Sequence, residues 1–93
     1  MPDEAMLYEW ARIALHEGRL PTRRPDRTYG GHGTGSVCAL CGMKTIKEEA
    51  ELEIEFDRGG NPGMDRHYLH PRCFAAWEFE RTKLAPQVRT APD

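Results

Sequence analysis

Apolar and polar residues alternate along this chain with two different periods. Between residues 2 and 17, Met6, Trp10, Ile13 and Ala14 recur at helical spacing with Leu7 and Ala11 beside them, predicting an amphipathic first helix. Pro2, Asp3 and Glu4 supply its amino-terminal turn, and Gly18 and Pro21 stop it. Trp10 is expected to pack there, because an aromatic side chain carries a large burial term that a small domain needs. From Glu51 to Phe56 the period drops to two: Leu52, Ile54 and Phe56 face one way, and Glu51, Glu53 and Glu55 the other. The expectation is a half-buried strand with an acidic outer face. The glycine-rich run from Asp57 to Gly63 reads as a turn, and a second strand over 65–69 closes a β-hairpin. A second helix is predicted from Pro71 to about Lys83, with Phe74, Ala75, Trp77 and Leu84 making apolar contacts and Glu78, Glu80, Arg81 and Lys83 outside.

The rest lacks periodicity. Residues 19–37, with two prolines, four glycines and no apolar pattern, read as a loop, and residues 85–93 as a disordered tail. The organisation is thus an N-terminal helix over 1–18, an Arg/Gly-rich loop over 19–37, a compact unit over 38–84, and the tail.

Charge is segregated along the chain. The loop carries Arg19, Arg23, Arg24 and Arg27 against the single acid Asp26, whereas the whole chain is formally −2. An arm with that balance suits phosphate oxygens of DNA or RNA, which arginine grips with a fixed fork of donors. The competing reading is a solvated linker whose arginines pair with acids of the neighbouring unit. From Cys38 onward, eight Lys and Arg face ten Asp and Glu, so that part does not attract a polyanion by itself. Its acidic strand face instead suits a basic protein partner. The segment Tyr29 to Gly35 lacks the Gly-Lys-Ser/Thr ending of a phosphate-binding P-loop.

Ninety-three residues make one domain, small enough that packing alone gives thin stability. A metal is the expected supplement, and the cysteines are spaced for one. Cys38 and Cys41 stand two residues apart ahead of Gly42; after 28 further residues, His70 and Cys73 are separated by two more. The first pair fits a tight turn that aims both sulfurs at one ion. The second fits the first turn of a helix, where residues three apart share a face, and Pro71 suits the opening position. Three thiolates and one imidazole predict Zn2+ bound by Cys38, Cys41, His70 and Cys73. An odd cysteine count in this arrangement points to a reducing cytoplasm rather than a disulfide framework. No apolar run is long enough to span a membrane, and the first residues do not resemble a secretory signal.

The order Cys38-x-x-Cys41-Gly42, then Ile46 and Glu51-Leu52-Glu53-Ile54, then Tyr68-Leu69-His70-Pro71-Arg72-Cys73-Phe74, resembles the zinc fingers of the poly(ADP-ribose) polymerase type, a treble-clef variant. The resemblance covers the forty or so central residues and leaves out the arm before Cys38. It implies a Cys3His zinc site with strands between the ligand pairs, and a finger that recognises DNA breaks. It does not extend to that family's catalytic domain, whose motifs this chain lacks.

The resulting expectation is an α+β fold: a small zinc-stabilised, treble-clef-like domain with a β-hairpin, a C-terminal ligand-bearing helix and an extra N-terminal helix. A non-enzymatic role follows from a four-ligand site that leaves no position for water. Its expected contact is with nucleic acid through the four arginines. The alternative is a protein-interaction adaptor or homodimer using the first helix and the acidic strand face. A treble-clef nuclease with His67 as general base ranks behind both, for want of further metal ligands. Thiol–disulfide exchange at Cys38 and Cys41 ranks behind as well, because it would not need His70 and Cys73 at ligand spacing.

Overall fold

A computed structural model describes residues 3–60 and 62–89. Met1, Pro2, Asn61 and residues 90–93, with the expectations placed on them, lie outside the described residues. The elements run α1 (Glu4–Glu17), β1 (Arg27–His32), β2 (Ala50–Asp57), β3 (Met64–Leu69) and α2 (Pro71–Arg89). The three strands form one antiparallel sheet in the order β1-β2-β3, so the fold is α+β, with two helices against a small sheet.

Helix α1 starts where the Asp3 carboxylate accepts the Met6 amide at 3.0 Å. It stops at Gly18, whose φ of 77° is the left-handed conformation that lets the cap N–H reach the Ala14 and Leu15 carbonyls. Its buried stripe is Leu7, Ala11, Ala14 and Leu15. That corrects the expected face, since Met6 and Ile13 are exposed and Trp10 is half-buried. Ala11 and Ala14 are fully buried, and α1 packs against α2. Between the two helices Tyr8 and Phe79 meet with tilted rings, centroids 5.2 Å apart, and Arg12 donates to Glu80 at 3.0 Å.

The core joins this helix pair to the sheet through Trp77, which is fully buried. Its ring meets Phe56 of β2 edge-on at 6.2 Å, and its Nε1–H donates to the Pro21 carbonyl at 2.9 Å. Helix, sheet and the segment following α1 therefore meet at one side chain.

Three further expectations change. The stretch 19–37 is not all loop: Arg27–His32 forms β1, with Arg27 opposite Glu55 and His32 opposite Ala50. A run with two glycines becomes a strand because β2 offers it a backbone edge, a tertiary cause that local composition does not show. Helix α2 reaches Arg89, so residues 85–89 of the expected tail are helical. On that helix Ala76 is buried in place of Ala75, and Glu80 and Arg81 are buried instead of exposed. Their charges are met locally: Glu80 by Arg12 and Lys83, Arg81 by Glu78 and by the Trp77 ring beneath its guanidinium.

The last correction concerns the acidic face of β2. Glu51 and Glu55 are each only 6% exposed, while Leu52 on the opposite side is half-buried. Register explains Glu55: Arg27 of β1 and Arg66 of β3 lie directly across from it on either side. Their guanidiniums reach its carboxylate at 2.9 and 3.1 Å, making an alternating ladder of charge across all three strands.

Candidate metal centre

The first ligand pair sits on a knuckle built by short-range hydrogen bonds. The Cys38 amide donates to the Met43 carbonyl at 2.9 Å and the Gly42 amide to the Cys38 carbonyl at 3.0 Å, a turn that closes because Gly42 takes φ 78°. Val37 bridges to Lys44, and the Ala39 amide donates to the Tyr68 carbonyl at 2.8 Å, so the knuckle is stitched to the end of β3. Two residues beyond Tyr68 the chain reaches His70. Its carbonyl accepts the Phe74 amide at 2.9 Å as α2 opens, and Cys73 falls on the first turn. The sheet thus delivers the second pair to the first.

The Sγ atoms of Cys38, Cys41 and Cys73 and a ring nitrogen of His70 all lie within 4.8 Å of one another. That is close enough for all four to coordinate one metal ion. Nδ1 of His70 is 3.4 Å from the Cys41 sulfur and 4.0 Å from that of Cys73. Cys38, His70 and Cys73 are buried and Cys41 is half-buried; all three cysteines are free thiols. The Cys38 thiol is pulled down to about 4, first by the hydrogen bond from the Cys73 thiol and then by the backbone amides of Cys41, His70 and Leu40. Cys73 is pushed up, as the donor of that bond and by burial, and burial also raises Cys41. Three thiols this close cannot all ionise without a cation among them.

Behind the ligands lies a polar knot that residue spacing did not foretell. The Glu51 carboxylate accepts from the Thr45 hydroxyl at 2.7 Å, the Thr34 hydroxyl at 2.9 Å and the Thr34 amide at 3.1 Å. Burial works to raise its carboxyl pKa, yet these donors outweigh it and the net shift is downward. Glu49, the other residue missed, places Oε1 3.5 Å from Nε2 of His70. An acid a few residues after a knuckle is the only signal that could have flagged it, and several neighbouring acids share that signal.

The arginine arm is largely committed elsewhere. Arg19 pairs with Glu17 at 2.8 Å, and Arg23 pairs with Asp26 at 3.1 Å while lying over the Phe56 ring. Arg27 holds Asp57 and Glu55, and those bonds, Asp57 foremost, raise its pKa. Arg24 is exposed and forms no ion pair among the described residues. Arg23 and Arg27 meet at one corner, since Arg23 also donates to the Asp57 carbonyl at 2.8 Å. His67 sits half-buried on β3 with its ring edge-on to Phe56; burial lowers its pKa against the opposing pull of Asp65. Among the described residues, no second group of His, Cys, Asp or Glu converges near it. No described helix is long and apolar enough to cross a membrane.

No family model, curated protein or solved structure matches this chain, so the case for its function rests on the geometry above.

Proposed function

We propose that this protein is a non-enzymatic module built around structural Zn2+, with a treble-clef frame, whose working surface binds another protein. The observation that carries the first part is the convergence of Cys38, Cys41, His70 and Cys73 from a knuckle and a helix start. Tetrahedral zinc with ordinary bond lengths holds a nitrogen and a sulfur ligand about 3.6 Å apart. The two separations from His70 Nδ1, 3.4 and 4.0 Å, straddle that value. Three sulfurs and one imidazole favour zinc over hard cations, and four protein ligands fill the coordination shell, which leaves the ion a structural role. The sequence of knuckle, hairpin and ligand-bearing helix is that of a treble clef. The resemblance to poly(ADP-ribose) polymerase-type fingers is proposed for this frame and not for their DNA-break recognition.

A protein partner is favoured over DNA or RNA because Arg19, Arg23 and Arg27 already hold carboxylates of the same chain. The α1–α2 side instead presents Met6, Ile13, Phe79 and Leu84 as exposed apolar residues. Ile13 and Leu84 line a groove between the helices whose rim carries both signs of charge, including Glu9, Arg12 and Lys83. Mixed charge around apolar side chains suits a protein surface better than a polyanion.

Metal analysis of the purified, reduced chain should give one zinc per molecule, and Co2+ substitution should give the absorption of tetrahedral thiolate ligation. Folded protein without stoichiometric metal would overturn the zinc reading. Gel-shift assays at low salt should show no binding of duplex or single-stranded nucleic acid. A salt-sensitive shift abolished by alanine at Arg19, Arg23, Arg24 and Arg27 would replace the protein partner with a nucleic acid.

A further inference from the structure

The segment 46–49 is held more rigidly than its exposure suggests. Its turn is closed by the Glu49 amide donating to the Ile46 carbonyl at 2.9 Å, and the Ile46 amide donates back to Glu49 Oε1 at 3.4 Å. From the other side the Gly33 amide donates to the Glu49 carbonyl at 2.9 Å. Gly33 lies so close that a Cβ there would collide with the Ile46 carbonyl, so only glycine lets the two segments meet. Glu49 is therefore pinned through both backbone groups, and its side chain is aimed at His70.

The two nitrogens of His70 face different chemistry. Nδ1 looks toward the sulfurs of Cys41 and Cys73, and Nε2 lies 3.5 Å from Glu49 Oε1. A neutral imidazole has one N–H and one lone pair, and a carboxylate can only accept. Of the two neutral tautomers, the one with hydrogen on Nε2 turns a donor toward the carboxylate and leaves the lone pair of Nδ1 on the side of the sulfurs. Glu51, the other acid close by, has its Oε1 engaged by Thr34 and Thr45.

We propose that Glu49 is a positioning residue of the metal centre: it selects the Nε2–H tautomer of His70, fixes the ring orientation and aims Nδ1 at the ion. The inference rests on reading the four side chains as metal ligands. An acceptor behind a ligating histidine raises the basicity of the coordinating nitrogen, and its loss elsewhere costs about 10- to 100-fold in metal affinity.

The test compares the full-length chain with Glu49→Ala and Glu49→Gln, using Zn2+ competition against a chromophoric chelator and 15N-edited NMR of the His70 ring. In the parent chain His70 should ligate through Nδ1, with a slowly exchanging hydrogen on Nε2. Glu49→Ala should keep one zinc per chain, bind it about 10- to 100-fold more weakly and lose that exchange protection. Glu49→Gln, which retains an amide oxygen to cap the turn and accept from Nε2, should lose less affinity and shift the Nε2–H resonance. Ligation through Nε2, or affinity in Glu49→Ala within twofold of the parent, would overturn the inference while leaving the zinc site standing. A Glu49→Gln spectrum with the Nε2–H resonance unmoved would do the same, even if Glu49→Ala fails to fold. A parent chain that binds no Zn2+ would instead remove the metal reading, and this inference with it.

Discussion

The side of the core under α1 and the side under the knuckle are closed by different means. Under α1 the buried groups are Leu7, Ala11, Ala14, Leu15, Leu20 and Trp77, apolar side chains whose contribution scales with area removed from water. Under the knuckle they are Cys38, Cys73, His70, Thr45 and Glu51, polar or ionisable groups that are costly to bury unless every one finds a partner. The first side tolerates small errors in packing. The second depends on a complete set of donors and acceptors, and three of those groups, Cys38, His70 and Cys73, lie with Cys41 close enough together to share one cation. Both sides nevertheless belong to one cluster, since Cys38, Leu40 and Cys73 pack with Leu7 and Trp77.

The largest test of that contrast is removal of the ion. Structural zinc contributes on the order of 10 kcal/mol in small fingers, comparable to the whole stability expected of a domain this size. Chelation should therefore abolish near-ultraviolet circular dichroism from both sides together. An apo chain that keeps the α1–α2 resonances in an NMR spectrum would show that the halves are independent. Next in size is Trp77→Ala, expected to cost about 4 kcal/mol in denaturant unfolding of the zinc-loaded protein, because a fully buried ring is lost from the place where three elements meet.

A smaller effect is expected on the polar side. Glu51→Gln weakens charge-assisted bonds to Thr34 and Thr45 and should cost about 2 kcal/mol at neutral pH. The folded-state pKa of Glu51 is lowered from its ordinary 4.5, so its stabilisation is fully present above that value and is lost as the pH falls through the lower, folded one. The gap between parent and variant should thus stay level down to about pH 5 and narrow below pH 4.5; a gap that widens in acid would contradict the assignment. Smallest of all, Ile13→Ala should change stability by less than about 0.5 kcal/mol, since that residue faces solvent despite its helical phase with Trp10. A larger loss would mean that the groove beside it is occupied.

The parts of this fold that were legible in the sequence are those fixed by local chemistry. The ligand spacing, the cap and stop of α1, the hairpin around residues 57–63 and Pro71 opening α2 are each decided within a few residues. What was not legible depends on neighbours far along the chain. Alternation placed Glu51 and Glu55 on one face of β2 but could not show that Thr34, Arg27 and Arg66 would cover it. For the same reason an arginine cluster that looked available on paper is mostly spent within the fold. The buried stripe of α1 is Leu7, Ala11, Ala14 and Leu15, a face shifted from the expected one by its packing within the fold, which the weakly apolar Ala11 and Ala14 do not announce in sequence. Glu49 had no distinguishing mark among four nearby glutamates until the fold set His70 beside it.

The glycine crossing at residue 33 ties the edge strand β1 to the loop beside the candidate metal centre. Strand β1 ends at His32, and the next amide, that of Gly33, is held by a carbonyl two residues before Glu51 on the loop that also places Glu49 3.5 Å from His70. Loosening of that loop when the ion leaves should release β1 before β2 and β3. Amide hydrogen exchange at Gly31 and Gly33 would then quicken at sub-stoichiometric zinc while Ile54 and Leu69 stay protected, making the outermost strand a gauge of how full the centre is.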